Sequence, residues 1–463
     1  MDPSKLAERL RAIVGHQIRL KPDPTSLEAG GPEPGASDVP SSGVGSGFSR
    51  IAPDVATVLG GDWCGRQGGA CFVVERRHSP DTTYGRDRVA TIAARLGEAA
   101  GEAPLVMGGA PARPPFAFFD LETTGLSGGA GTYAFLVGCG TFENDGGFLT
   151  RQFVLLRHAD ERPLLQMVGA ELSAAGALVT FNGKSFDAPL IETRHLYHRL
   201  EWPAGDLPHL DVLHPGRRFW GDSGAAHSPC SLQALENVVL GARRTCDVPG
   251  SEIPTRYFQF IRTGDARPLR AVLEHNRLDL LSLAGLTARL LDLVRRGPGA
   301  VQHAREALAL GRVYARGGLD NRAREAYQHA CIKASMISAE ASMAGGEASM
   351  ASIKISGLRS LALLSRHSRR YDEAAVYWRE LLELPGCPPP MAREANQALA
   401  VHHEHRARDL PTAKAFALRS FDVRAPAWNQ AVQYRLARIE KKMNKSQLSS
   451  LKFENVGTLR LEG

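Results

Sequence analysis

The stretch FAFFDLETTGL, residues 116–126, is an apolar run broken by two acids. Read as a strand, it sends Asp120 and Glu122 to one face and Phe119 and Leu121 to the other, because side chains alternate along a strand. Two carboxylates on one small patch repel each other and are costly to bury, so they call for a base, a shared proton or a bound cation. No Lys or Arg lies between Arg113 and Arg151. Carboxylate oxygens suit hard divalent ions, and Mg²⁺ or Mn²⁺ is the natural candidate. A D-x-E standing alone at the solvated end of a strand needs no such partner, so the rest of the chain decides.

Around this stretch the pattern alternates between strands and helices. FAFFDLE, TYAFLVGCGTF and LTRQFVLL are three β-rich runs separated by Gly-containing turns, which suggests a meander. A helical stretch, PLLQMVGAELSAA, a buried-type strand, ALVTF, and further helices ending in PLRAVLEHNRLDLLSLAGLTARLLDLV complete the region. Residues 114–296 therefore read as an α/β domain with a mixed sheet flanked by helices.

Two further segments of this domain carry acids. ALVTF leads into NGKSFDAPLIETRH, where Asn182 and Gly183 make a turn, Ser185 caps a helix and Pro189 lies in its first turn, leaving Asp187 at the junction of strand and helix. In EHNRLDLLSL, His275 and Asp279 are four residues apart on one helical face, which also carries Leu283 and so looks inward. Asp120, Glu122, Asp187 and Asp279 then come from three segments, with Lys184 beside the second. Such a set meets the need of a two-metal phosphodiester hydrolase, whose ions lie about 3.5–4 Å apart. An imidazole is suited to taking a proton from water, which makes His275 a candidate base, though a solvent-facing helix residue would look the same.

D-L-E-T-T-G-L, N-G-K-S-F-D and H-N-R-L-D, in that order, resemble the three exonuclease motifs of the DEDD 3′–5′ exonuclease superfamily, which has a ribonuclease-H-like fold. The wider wording, with SGGAGTYAFLVGCG, DVLHPGRRFW and DVPGSEIPTRYFQFIRTGDARPLRAVLEHNRLDLLSLA, is similar to YprB-like ribonuclease-H-like domains. The resemblance implies that Asp120, Glu122, Asp187 and Asp279 hold two Mg²⁺ or Mn²⁺ ions and that the domain cleaves nucleic acid from a 3′ end. It further implies that Thr123, Thr124, Gly125 and Leu126 lie against the terminal nucleotide, with Asn182 and Phe186 beside the scissile end. His275 departs from the pattern: it stands four residues before the last Asp, where one main subclass has Tyr, whereas the His of the other stands five before. Lys184, Arg217 and Arg218 are candidates for steering a phosphate backbone.

After about residue 300 the strand signals vanish. Leu310, Gly311, Tyr314, Ala323, Tyr327 and Ala330 fall at the spacing of a tetratricopeptide helical hairpin; Tyr371, Ala374, Trp378 and Pro385 repeat the core, and Leu410, Ala413 and Ala417 mark a weaker third unit. The spacing from Ala323 to Ala374 exceeds the roughly 34 residues of that repeat. The excess falls in a low-complexity insert at 335–356. Residues 300–440 thus read as an all-α, tetratricopeptide-like array that binds a protein partner or braces the nuclease, and its Tyr and Trp residues as seam packing. His402, His403 and His405 read as a solvated helix face.

Outside these domains, residues 1–20 hold a short amphipathic helix with Leu6, Leu10 and Ile13 on one face, 21–47 a Pro/Gly/Ser-rich linker, 48–113 a small α/β region without a chemical motif, and 441–463 a disordered tail. The N-terminal pattern is not that of a secretion signal, and no apolar run approaches the roughly 18 residues of a membrane helix. Seven scattered cysteines without C-x-x-C pairs suggest reduced thiols in a cytoplasm. A formal charge of +7 fits a phosphate-bearing partner; with the nuclease resemblance, the partner expected is single-stranded DNA or RNA. Two rivals keep the fold: a nucleic-acid-binding or adaptor protein without catalysis, which the presence of all four acids argues against, and a structure-selective endonuclease.

Overall fold

The computed structural model describes residues 51–65, 69–107, 111–125, 131–221, 230–245, 247–340, 347–421 and 426–458. The amphipathic helix expected within 1–20, the linker at 21–47 and the candidate loop residue Leu126 lie outside them. The strands are β1 (Asp62–Cys64), β2 (Cys71–His78), β3 (Thr83–Tyr84), β4 (Asp87–Arg88), β5 (Phe116–Thr123), β6 (Ala134–Phe142), β7 (Phe148–Val154), β8 (Ala177–Thr180) and β9 (His209–Asp211). The chain folds into two units that interleave in sequence, one of residues up to Pro80 with Pro115–Asp211 and Arg244–Leu283, the other of Asp81–Pro114, Val212–Arg243 and the residues from Ala284 on.

The first unit is built on a seven-stranded sheet in the order β1-β2-β7-β6-β5-β8-β9. From β1 to β5 each strand runs antiparallel to its neighbour, while β5, β8 and β9 run parallel. The meander β5–β6–β7 is as the turn pattern predicts. Parallel strands need a crossover, and the helix Glu161–Ser173 occupies the connection from β7 to β8. The strands β6 and β8 are buried along nearly their whole length, as expected of a sheet covered on both faces.

The core gathers Phe119, Leu121, Phe135, Val137, Leu164, Val168 and Tyr257. Tyr257 stacks on Phe135 with ring centroids 4.1 Å apart, and its hydroxyl donates to the Leu155 carbonyl at 3.0 Å. The units cut across the sequence-based boundaries: Val212–Arg243 and the residues from Ala284, read as part of 114–296, belong to the second unit. The run CFVVERRH, assigned to a separate region at 48–113, becomes β2 and pairs with β7 in the main sheet. Its apolar first half needs a partner sheet to bury it, and two short strands alone supply none.

In the second unit the helices Ala304–Arg316, Asp320–Glu340, Glu347–His367, Tyr371–Glu383, Pro389–His402, Leu410–Arg419 and Pro426–Thr458 follow one another, each packed chiefly on its neighbours in the chain. This is a helical array. Leu310, Gly311, Tyr314, Ala323, Tyr327 and Ala330 are all buried at the first seam. A side chain at Gly311 would run into the Tyr327 ring, so close helix approach explains this glycine. The insert at 335–356 is helical on both sides of 341–346, because Asp320–Glu340 and Glu347–His367 run into it. The last helix continues past residue 441 to Thr458, where a disordered tail was expected; its Lys, Gln, Leu and Glu are good helix formers.

His405 is exposed, as expected of a solvated face, but His402 and His403 correct that expectation. His403 is buried and stacks on Phe416 with centroids 5.5 Å apart, and Arg379 donates to its Nε2 at 3.2 Å. The His402 side chain is 11% exposed. Helices at their flanks cover positions that would face water on an isolated helix. Among the described residues no helix is long and apolar enough to cross a membrane, and the described cysteines are all free.

Candidate active site

On β5, Phe119 and Leu121 are buried in the core while Asp120 and Glu122, on the other face, are half-buried. The pairing register with β6 shifts between Glu122 and Thr123, so the ladder ends just beyond the acids. Thr124 is tied across to the start of β6: its backbone N–H donates to the Tyr133 carbonyl at 3.0 Å, and the Tyr133 N–H donates to Thr124 Oγ1 at 3.0 Å. The Thr123 hydroxyl donates to the Gly125 carbonyl at 3.1 Å.

Tyr133 in turn rests on a buried ion pair. The Arg194 guanidinium lies 4.6 Å from the centre of its ring and bonds both oxygens of Glu161, at 2.6 and 2.5 Å. His198 Nε2 is 2.7 Å from the same carboxylate. Arg194 and Glu161 are both almost fully buried.

Asp187 is the first residue of the helix Asp187–Tyr197, beyond the C-terminal end of β8. Asn182 takes a left-handed conformation with φ 69° at the turn, which a short polar residue tolerates. Asp211, at the end of β9, holds this turn by accepting the Asn182 N–H at 2.8 Å and the Lys184 N–H at 3.1 Å. The helix is capped by Phe186 without a side-chain bond, so the capping role expected of Ser185 is not observed. Phe186 is 60% exposed, and Lys184 is exposed beside it.

The third acid-bearing segment is the helix Leu269–Arg296. Asn276, fully buried, donates from Nδ2 to Asp120 Oδ2 at 2.8 Å and accepts at Oδ1 from Gln152 Nε2 at 2.9 Å. Gly138 on β6 makes room for this bridge, since any side chain there would run into the Asn276 amide. His275 lies 3.3 Å from Asp279 through Nε2 and 2.7 Å from Asp247 Oδ1 through Nδ1. Arg244 completes a ring, bonding Asp279 at 2.5 Å and Asp247 at 3.1 Å. Asp279 is therefore not without a cation, contrary to the reading of the motifs alone.

One ligand atom each from Glu122, His275 and Asp279 lies within 4.8 Å of the others. Burial, followed by the Asp279, Glu122 and Asp187 carboxylates, pushes the Asp120 carboxyl well above its ordinary range, against the hydrogen bond from Asn276. Burial and the charges of Asp279, Asp187 and Asp247 do the same to Glu122. Asp187 is pushed up to about 7 by burial and by Asp211. Asp247 moves the other way: burial would raise it, but the hydrogen bond from His275 and the charges of His275 and Arg244 hold it low.

The structure thus draws Asp120, Glu122, Asp187, Asp279 and His275 into one electrostatic neighbourhood. Its donor set is carboxylate oxygen with one imidazole, and its negative charge exceeds the cationic charge supplied there by Arg244. That fits a hard divalent cation. Arg217 and Arg218 belong to the second unit.

Residue-by-residue sequence reading overlooked Asp211, Arg244, Asp247, Asn276 and Gln152. Gln152 had a signal, a polar residue at the inward phase of an apolar strand. So did Asn276, inside the H-N-R-L-D motif. Arg244 and Asp247 stand in irregular chain with no periodicity to mark them.

Residues 117–291 match the model of the RNase_H superfamily. Over 196 residues the chain is 37% identical to the uncharacterized protein YprB of Bacillus subtilis (strain 168), an alignment covering 42% of this chain and 46% of that protein. The chain thus matches about half the length of this curated relative.

Proposed function

We propose that the RNase_H-superfamily domain of this chain is a metal-dependent nuclease that hydrolyses phosphodiester bonds from the 3′ end of a single-stranded nucleic acid. The observation that carries the reading is the convergence of four acids from three segments, two of them on β5, with the Asp120, Glu122 and Asp187 carboxyls held above their ordinary range by burial and by neighbouring carboxylates. Such charge is costly without cations, and the four carboxylates would hold two Mg²⁺ or Mn²⁺ ions. Bound there, the ions would supply Lewis-acid stabilisation of charge on the attacked phosphate and on the leaving oxygen.

The chain's own groups account for the remaining work. His275 accepts a proton from the attacking water at Nε2. The water oxygen bonds to phosphorus, the P–O3′ bond breaks, and the departing 3′ oxygen takes up a proton from solvent. Asn276 keeps Asp120 in its orientation. The segment Thr123–Gly125 lies against the terminal nucleotide, and among the described residues no neighbour stands within 4 Å of where a Gly125 side chain would project. Phe186, exposed next to Asp187, offers a face for a base, with Asn182 beside it, and Lys184 a charge for a phosphate.

The test is gel analysis of end-labelled single- and double-stranded DNA and RNA with Mg²⁺, with Mn²⁺ and with chelator, beside Asp120→Ala. Metal-dependent laddering from the 3′ end, absent in the variant, is expected, with circular single strands left intact. Cutting of circles would replace the exonuclease by an endonuclease, and inertness toward every substrate would refute the nuclease.

A further inference from the structure

Asp247 lies outside the motifs, yet its carboxylate meets three donors. Oδ1 accepts the Val248 backbone N–H at 2.8 Å and stands 2.7 Å from His275 Nδ1, while Oδ2 is 3.1 Å from Arg244 Nη1. A carboxylate so surrounded acts as acceptor, so the proton of that bond belongs to His275 Nδ1. With Nδ1 committed to Asp247, the ring turns its other nitrogen, Nε2, toward the acids, 3.3 Å from Asp279. The Arg244 fork, only 6% exposed, braces Asp247 and Asp279 together and so fixes the frame in which the ring sits.

We propose that Asp247 is a positioning residue of the hydrolytic site: by accepting Nδ1–H it holds His275 in the tautomer and orientation that present Nε2 to the attacking water. This rests on the nuclease reading above. It also explains why a His can serve where the related motif has Tyr. The ring reaches the cation site through its far nitrogen and is held at the near one. If Asp247 merely pinned the 244–248 segment to the helix, its loss would act in the same way whether or not His275 were present.

The experiment uses the full chain as wild type, Asp247→Ala, His275→Ala, the double variant and Asp247→Asn. Values of kcat and KM are measured on an end-labelled oligonucleotide with Mn²⁺, and ¹⁵N spectra of histidine-labelled protein are recorded without metal, the His275 signals being assigned by their loss in His275→Ala. Asp247→Ala is expected to lower kcat roughly 10- to 100-fold with KM little changed, the scale of a lost partner behind a functional His. The losses of Asp247→Ala and His275→Ala should not add. The spectrum should show the Nδ1–H tautomer in wild type and its loss in Asp247→Ala, with Asp247→Asn, which keeps an acceptor oxygen, in between.

Additive losses, or an unchanged tautomer in Asp247→Ala, would overturn the proposal while leaving the nuclease standing. A wild type inert on every substrate would remove the nuclease itself. Should Asp247→Ala not fold, Asp247→Asn carries the same test, and an unaltered spectrum with unaltered kcat in that variant overturns the proposal.

Discussion

Glu404 in the helical unit and the group Asp120, Glu122, Asp187 and Asp279 on the sheet unit are all carboxylates withdrawn from water, but their surroundings differ in sign. Glu404, its side chain fully buried, is met by Arg438 at 2.7 Å, Lys442 at 2.7 Å and Arg435 at 3.2 Å. Burial alone would raise its carboxyl; hydrogen bonds from Arg438 and Lys442 outweigh that and bring it down to about 2. The sheet acids have Arg244 for Asp279 and chiefly one another for the rest. A buried acid surrounded by the protein's own cations holds a structure together, and buried acids left to repel one another are ready for cations from outside.

The largest effect on this contrast should come from the sheet acids. Replacing Asp120, Glu122, Asp187 or Asp279 by Ala is expected to lower kcat on the order of 10³-fold or more, the scale of removing one member of a unit that acts together. Steady-state assays with Mn²⁺ check it. A variant within about tenfold of wild type would mean that its carboxylate is not part of the unit.

Next comes the buried pair beneath the Thr124 segment. Arg194→Ala or Glu161→Gln breaks this buried pair by removing one charge, which costs about 3–5 kcal/mol. Urea denaturation should register that loss, and because Arg194 supports the Tyr133 ring, KM should rise as well.

Glu404 supplies the pH arm of the comparison. Its folded carboxyl lies at about 2 against an ordinary 4.5, so its contribution is fully present above about 4.5 and is lost as pH falls through about 2. The shift corresponds to roughly 3 kcal/mol. Glu404→Gln should therefore lose stability relative to wild type at neutral pH, and the gap should close on acidification, as read by chemical denaturation between pH 7 and pH 2. Nuclease activity of this variant is expected to match wild type.

The smallest change concerns the brace on Asp120. Asn276→Ala is expected to cost about 10- to 100-fold in kcat, as does loss of a hydrogen bond that orients a ligand. Gly138→Ala should reproduce part of it, because the added methyl displaces the Asn276 amide.

Much of the sheet could be read in advance, and the reason is local. The strands β5 to β8 announce themselves by apolar runs between Gly-containing turns, and the two acids of β5 by a period of two. The helical seam from Leu310 to Ala330 follows from spacing in the same way. What escaped depends on contacts distant in sequence. That β2 pairs with β7 is decided by registry across about seventy residues of intervening chain. Arg244 and Asp247 reach His275 and Asp279 from a segment without secondary structure, so no repeat of residue type marks them. Asp279 was legible as an inward acid, whereas the cation beside it was not.

The central claim is that the sheet acids have fewer cations of the chain's own than carboxylates, Arg244 standing on Asp279, whereas the helical acid is met by three. Calorimetric titration of Mn²⁺ into metal-free wild type, Asp120→Asn and Glu404→Gln tests it directly. The account predicts saturable binding to wild type and to Glu404→Gln, with binding to Asp120→Asn weakened at least tenfold. Equal binding to all three proteins, or none to wild type, would contradict it.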